Sequence, residues 1–167
     1  MKKVALILCA FSCLAVISQP VEVLFLEVTN PQGETIYLEP GFPYAHVVLS
    51  VGNRLFHSHP KTGVSEISQS ELKDYGQPKE ILLVNPEKLN ESLLSWSIGR
   101  GYDSEFNWSD ERFYCSELVA KVIGMLPEPM HFDPELWPPS FQNFEGLPGI
   151  SPGKIYSRLK SGAFLLE

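Results

Sequence analysis

Cysteine is scarce in this 167-residue chain: there are three, and two of them, Cys9 and Cys13, lie within the first 13 residues. Basic charge is also short, with 13 Lys and Arg facing 20 Asp and Glu, for a formal net charge of −7. Such a chain is a poor partner for nucleic acid, because nothing offsets the repulsion between its carboxylates and the phosphates. There is no internal repeat, low-complexity tract or block of like charge. The 12 glycines and 14 prolines follow no collagen-like period, and a hydrophobic content of 44% is too high for disorder. The length suits one ordinary domain that buries a core without disulfide staples.

The one long apolar run is at the start. Residues 1–18, MKKVALILCAFSCLAVIS, place two lysines before an uncharged, largely apolar stretch from Val4 to Ile17. A short basic segment followed by an apolar core of this length is the pattern of a secretory signal peptide rather than a membrane span. Val16 and Ser18 sit at the −3 and −1 positions for cleavage before Gln19. A lipid-anchored form cleaved before Cys13 would carry the bulky Phe11 at −2, which disfavours it. The sequence therefore predicts an exported, periplasmic or secreted protein with a signal peptide at 1–18 and one domain at 19–167, with no integral span after processing. Without Lys2 and Lys3, and with no acid lost, the charge moves from −7 to −9. Cys115 is then the one cysteine left, without an internal disulfide partner, so its thiol is either inert packing or a chemical group.

Strand patterns dominate the first half of the mature chain. Val21–Val28 is β-rich, and Asn30-Pro31-Gln32-Gly33 is a turn signal. Ala45–Val51 and Arg54–His59 flank Gly52-Asn53, a pair that favours a two-residue hairpin turn. Gly63–Gly76 reads as a polar, partly helical segment. Glu80–Val84 reads as a buried strand, and Asn85-Pro86 as the opening of a helix with Leu89, Leu93 and Trp96 on its apolar face. Gly99–Asp110 reads as a loop. The clearest helix is Cys115–Met125, where Leu118, Val119, Val122, Ile123 and Leu126 form one stripe and Pro127 ends it. Seven prolines between Pro127 and Pro152 then describe a stiff wrap carrying Trp137, Phe141 and Phe144, and Ala163–Leu166 reads as a last strand. Strands first and helices later give an α+β class.

Cys115 stands where a loop becomes a helix. Unpaired backbone N–H groups there favour a thiolate and can hold an oxyanion on an attacked carbonyl. A thiol nucleophile also needs an imidazole to take its proton and a third group to orient that imidazole. If Gly52-Asn53 is a two-residue turn, His57 faces Val48, His59 faces His46, and all three histidines point to one face. His57 is then a diagonal neighbour of His46, within reach of a ring-to-ring hydrogen bond. The same three imidazoles also match a three-histidine zinc centre with an open position, so a zinc-dependent hydrolase on His46, His57 and His59 is a second reading. A thiol enzyme would show fast alkylation of Cys115 near pH 6 that depends on His46.

Several of these stretches resemble a known family. Ala45–His57, AHVVLSVGNRLFH, looks like the histidine-bearing hairpin of NlpC/P60 cysteine peptidases. Gly101-Tyr102-Asp103 and Phe113–Val119, FYCSELV, resemble the permuted, YiiX/YebB-like branch of papain-like amidases and hydrolases, in which the histidine strand precedes the cysteine helix. Ile150–Tyr156 is similar to that family's C-terminal strand. The resemblance runs from about residue 20 to 157. It implies an α+β, circularly permuted papain-like fold, an antiparallel sheet with the cysteine helix packed against it. It also implies Cys115 as nucleophile, His46 as general base, His57 at the third polar position, and Tyr102, 13 residues before the cysteine, near the substrate or oxyanion. In the permuted branch the third position is often Glu, whereas many NlpC/P60 members have His there. Tyr114 and Glu117 complete the motif in structural roles. The implied activity is hydrolysis of an amide or ester on a small peptide, amide or lipid, cell-wall peptides included, with no cofactor. A catalytically inactive binding domain of the same fold is the remaining alternative.

Overall fold

The computed structural model describes residues 19–162. The signal peptide expected at 1–18 and the strand expected at 163–166 lie outside the described residues. Strand β1 is Val21–Glu27, β2 His46–Val51, β3 Arg54–His59, β4 Gly63–Ile67 and β5 Gln77–Val84. They form one antiparallel sheet in the order β4-β3-β2-β1-β5. Helix α1 is Glu91–Ser97 and α2 is Cys115–Val122. A two-residue ribbon, β6 Glu128–Pro129 and β7 Pro148–Gly149, precedes helix α3, Pro152–Lys160. The α+β class and the antiparallel sheet with the cysteine helix against it agree with the sequence reading. Among the described residues, no helix is long and apolar enough to cross a membrane.

Side-chain alternation divides the sheet into two unequal faces. Val21, Val23 and Phe25 of β1, Val47 and Leu49 of β2, and Phe56 of β3 turn to one face, where Leu118, Val119 and Val122 of α2 and Ile155 and Leu159 of α3 pack on them. This is the main core. Leu24, Leu26, Val48 and Leu55 turn the other way and, among the described residues, cluster with Ile67, Leu72 and Tyr75. His46 and His57 alternate with Val47 and Phe56, and so belong to this thinner second face.

The hairpin follows the predicted register, with Val51 opposite Arg54, Ser50 opposite Leu55 and Leu49 opposite Phe56. There the pairing stops. β2 stays with β1 down to Leu26↔His46, and β3 stays with β4 out to His59↔Gly63. The two strands of the hairpin part below Leu49, so the expected cross-strand pairing of His59 with His46 does not form.

Five sequence expectations change: the strand expected to be buried at Glu80–Val84 is an edge strand with Ile81 and Leu83 exposed, the helix expected to run to Met125 ends at Val122, and three further segments differ. Gly63–Gly76 contains strand β4 and a short 3-10 turn, Leu72–Asp74. As an edge strand β4 needs only Val64 and Ile67 buried, so its pattern is too short to stand out in sequence. The helix expected from Pro86 is interrupted: a 3-10 turn spans Pro86–Lys88, and α1 starts after Asn90, whose side chain accepts from the Leu93 N–H at 3.0 Å. Ile150–Tyr156 is not a strand but the entry to α3, capped by Ser151, whose hydroxyl accepts from the Lys154 N–H at 3.1 Å, with Pro152 at the first helical position.

One close approach ties the loop before α2 to the sheet. Val64 donates to the Arg100 carbonyl at 2.8 Å and Gly99 donates to Val64 at 2.8 Å, which brings Arg100 against Gly63. Gly63 has φ +64°, and a Cβ there would overlap the Arg100 carbonyl oxygen. Gly63→Ala is expected to cost about 2–3 kcal/mol, a fall of roughly 5–10 °C in Tm, because left-handed strain and a backbone collision add. Gly33→Ala is the control: the same left-handed φ in open space should cost about 1 kcal/mol. Equal melting curves for the two variants would refute this account.

Candidate active site

The parting of β2 and β3 is filled by the start of α2. In an antiparallel pair, successive residues turn their N–H groups alternately to one neighbour and the other. Gly52 donates to Pro20 at 2.9 Å, so counting back by twos the N–H groups of Ser50, Val48 and His46 face β1. That of Val47 faces the β3 side, where no β3 residue pairs with it, and its nearness to Cys115 favours the thiolate. From the other lip, the Ser58 hydroxyl of β3 donates to the Phe113 carbonyl at 2.5 Å. The two strands thus hold the helix start between them.

The helix entrance is pinned on its far side as well. Tyr114 accepts from the Ile150 N–H through its hydroxyl at 3.1 Å, and the Ser116 hydroxyl donates to the Ile150 carbonyl at 2.7 Å. The Glu117 carboxylate folds back to accept from the Tyr114 N–H at 3.3 Å and pairs with Lys121 at 2.9 Å. Burial pushes the Glu117 carboxyl up to about 8. Tyr114 and Glu117 hold the helix entrance, as the sequence reading expected of them.

His46 and His57 meet as expected, with His46 Nε2 and His57 Nδ1 3.1 Å apart. That bond occupies one nitrogen of His46. His46 and Cys115 line one cavity. Tyr102 borders the same cavity beside Cys115, joined to the helix entrance by a bridge with Phe113. Desolvation and the neighbouring thiol raise its phenol well above the ordinary range, so the hydroxyl keeps its proton and can donate it in a hydrogen bond. The cavity has a volume of about 500 Å³.

His59 shares the histidine face but not the bond. Its ring stacks parallel to that of His57, 9° between planes and 5.9 Å between centroids, and its Nδ1 accepts from the Lys61 N–H at 3.3 Å. Parallel rings send their in-plane lone pairs side by side rather than to one point. Among the described residues no group of three His, Cys, Asp or Glu side chains could hold a metal ion. His131, the fourth histidine, stands at the outer wall and pairs with Glu145 at 2.8 Å.

Two site residues escaped the sequence reading. Tyr75 closes over the histidines, its ring 4.2 Å from that of His57 and 4.9 Å from that of His59. It lies in the polar segment after β4, where no periodicity marks it. Phe106, in the loop after Tyr102, packs on Tyr114 at 5.1 Å and on Trp137 at 6.2 Å. The expected groove wall is present in part: Trp137 and Phe141 line the cavity, whereas Phe144 packs behind them.

No protein-family model and no curated protein matches this chain. Among solved structures it is similar to the crystal structure of metalloprotein yiiX from Escherichia coli O157:H7, DUF1105. The two share 21% identity at a TM-score of 0.59, over 83% of this chain and 92% of that one. At this identity the similarity shows a common fold.

Burial controls the charge of every group at the site. Desolvation, with the neighbouring imidazoles adding to it, lowers His46 to about 3, and desolvation chiefly lowers His57 to about 4. Both rings are neutral at pH 7. The thiol is raised: the N–H groups of Val47, Ser116 and Cys115 pull it down, but burial outweighs them. At this thiol, burial therefore opposes the thiolate that a helix N-terminus favours. In the unfolded chain both histidines return to about 6.5 and bind protons below that pH, which the folded chain refuses until about pH 4. Stability is complete above pH 6.5 and falls as the pH drops, by up to about 1.4 kcal/mol per pH unit for each histidine. Urea midpoints should decline from pH 7 to pH 5, and His57→Asn should flatten that decline. A wild-type midpoint that is constant over this range would contradict the assignment.

Proposed function

We propose that this chain is a thiol hydrolase that transfers an acyl group from an amide or ester to water, with Cys115 as nucleophile and His46 as general base. His57 is the positioning residue, and Tyr102 with the backbone N–H of Cys115 receives the oxyanion. The observation that carries this reading is one cavity shared by a thiol at a helix entrance and an imidazole whose far nitrogen is held by a second imidazole. The fold shared with yiiX supports a yiiX-like domain, and the histidine strand that precedes the cysteine helix is the order that a permuted NlpC/P60 reading requires. Export to the cell envelope belongs to the proposal and rests on residues 1–18 of the sequence.

The tautomers follow from the task. For His46 Nδ1 to take the thiol proton, Nε2 must carry a hydrogen, which it donates to His57 Nδ1. The proton of His57 then sits on Nε2, an atom that is fully buried without a hydrogen-bond partner. With thiol and imidazole both neutral at rest, proton transfer accompanies attack rather than preceding it. As the sulfur–carbon bond forms, His46 takes the thiol proton and the carbonyl electrons move to oxygen. His46 then gives that proton to the leaving amine or alcohol. Water, deprotonated by His46, cleaves the thioester and frees Cys115.

The yiiX protein is described as a metalloprotein. The described histidines of this chain do not converge as metal ligands, and no step here passes through a metal.

Turnover of activated esters, with intact-protein mass spectrometry of the quenched reaction, tests the proposal. An acyl adduct should appear on Cys115 and vanish in Cys115→Ala, and His46→Ala should slow acylation about 10²–10⁴-fold. Turnover should show no acid limb near pH 6.5, because His46 and His57 titrate well below it. His57→Glu puts a carboxylate beside His46, favours the imidazolium and should move the acid limb to higher pH. Turnover that survives Cys115→Ala, or binding without turnover, would overturn the hydrolase reading.

A further inference from the structure

The cavity beside Cys115 is chemically one-sided. From Tyr114, the residue before the cysteine, an unbroken series of rings runs outward: Phe106 at 5.1 Å, Phe132 at 5.7 Å from Phe106, Trp137 at 5.1 Å from Phe132, and Phe141 at 4.7 Å from Trp137. The Trp137 indole N–H is spent on the Leu38 carbonyl at 2.8 Å, so its ring offers the cavity no free donor.

Of the charged groups on the wall, Glu128, Lys154 and His131 are held in ion pairs, and Glu39 has a neutral partner. Glu128 pairs with Lys154 at 3.1 Å and with Arg158 at 2.6 Å, His131 pairs with Glu145, and Glu39 accepts the Ser151 hydroxyl at 2.6 Å. A ligand carboxylate would have to break such pairs to be recognised. An apolar chain breaks none of them.

Phe106 adds an independent sign. Its φ is +53°, a left-handed conformation that bulky side chains rarely adopt and that costs energy to hold. The strain places its ring at the centre of the aromatic series, in contact with Tyr114, Phe132, Trp137, Phe141 and Phe144. Strain of this kind persists where surrounding contacts enforce it, and it concentrates at ligand sites.

We propose that this wall is the acyl-chain site of the enzyme, and that the substrate is a neutral ester or amide of a medium-length fatty acid. The scissile carbonyl lies at Cys115 and the chain lies along Phe106, Phe132, Trp137 and Phe141. This rests on the thiol-hydrolase reading for the position of the carbonyl, but not for the binding of the chain.

Two measurements separate the two. Binding is read on Cys115→Ala by calorimetry, with N-methyldecanamide, N-methylhexanamide, N-methylacetamide and the charged peptide N-acetyl-Ala-Glu-Lys as probes. Affinity should rise roughly fourfold per methylene from the six- to the ten-carbon amide, with the peptide and the acetamide bound at least 100-fold more weakly than the decanamide. Turnover is read on the wild type with p-nitrophenyl esters from two to twelve carbons. The ratio of kcat/KM for decanoyl over acetyl ester should fall at least tenfold in Phe106→Asn, which keeps the left-handed backbone accessible, and in Trp137→Ala. Decanamide binding without ester turnover would leave the acyl site standing and remove the hydrolase. Ester turnover indifferent to chain length, or a peptide bound as tightly as the decanamide, would overturn the acyl site.

Discussion

The separation of β2 from β3 below Leu49 is the constraint on which the rest of this structure depends. A continuous hairpin would have paired the Val47 N–H across the sheet and left no room for a helix end. The parted strands instead present one unpaired N–H from β2 and one hydroxyl, that of Ser58, from β3, and α2 enters between them. His46 and Cys115 derive from opposite faces of the sheet. They line one cavity because the helix entrance reaches through the gap. The same gap explains why the main core and the histidine face can be covered so differently, one by α2 and α3, the other by little more than Leu72 and Tyr75.

Two opposing electrostatic effects meet at the thiol. Backbone N–H groups at a helix entrance favour a thiolate, while removal from water favours the neutral group, and here burial prevails. It prevails at His46 and His57 too, so the resting site carries no charge among its three central groups. A carboxylate at the third position would favour imidazolium. An imidazole there orients its neighbour without adding charge, which suits a mechanism in which the proton moves only as the acyl carbon is attacked. The cost is an acid-sensitive fold, because neutral buried histidines resist the protons that the unfolded chain accepts.

The proline-rich wrap between α2 and α3 has a local and a global consequence. Locally, stiff backbone carries Phe132, Trp137 and Phe141 in a chain too irregular to form a long helix. Globally, the bonds from Tyr114 and Ser116 to Ile150 close that wrap against the helix entrance, so the aromatic wall is fixed relative to the thiol. Under the proposed function, the same contacts that hold Cys115 in place also set the distance from the attacked carbonyl to the chain behind it.

Much of the frame was legible in the sequence by itself. Alternation in β1 and β2, the Gly52-Asn53 turn and the apolar stripe after Cys115 determined the hairpin register, the helix and the nearness of His46 to His57. These are local consequences of period and turn chemistry, while the 3.1 Å contact between the two rings forms beyond the last paired residues of the hairpin. The edge strand β4, the break between Pro86 and Asn90 and the helix after Ser151 were misread, because short elements carry too few periodic residues to declare themselves. Tertiary structure alone decided the parting of β2 from β3, the closure of Tyr75 over the histidines and the position of Phe106. It also decided the charge at rest: the sequence shows a thiol at a helix entrance, but whether water reaches it depends on what packs around it, and burial is a property of the folded whole.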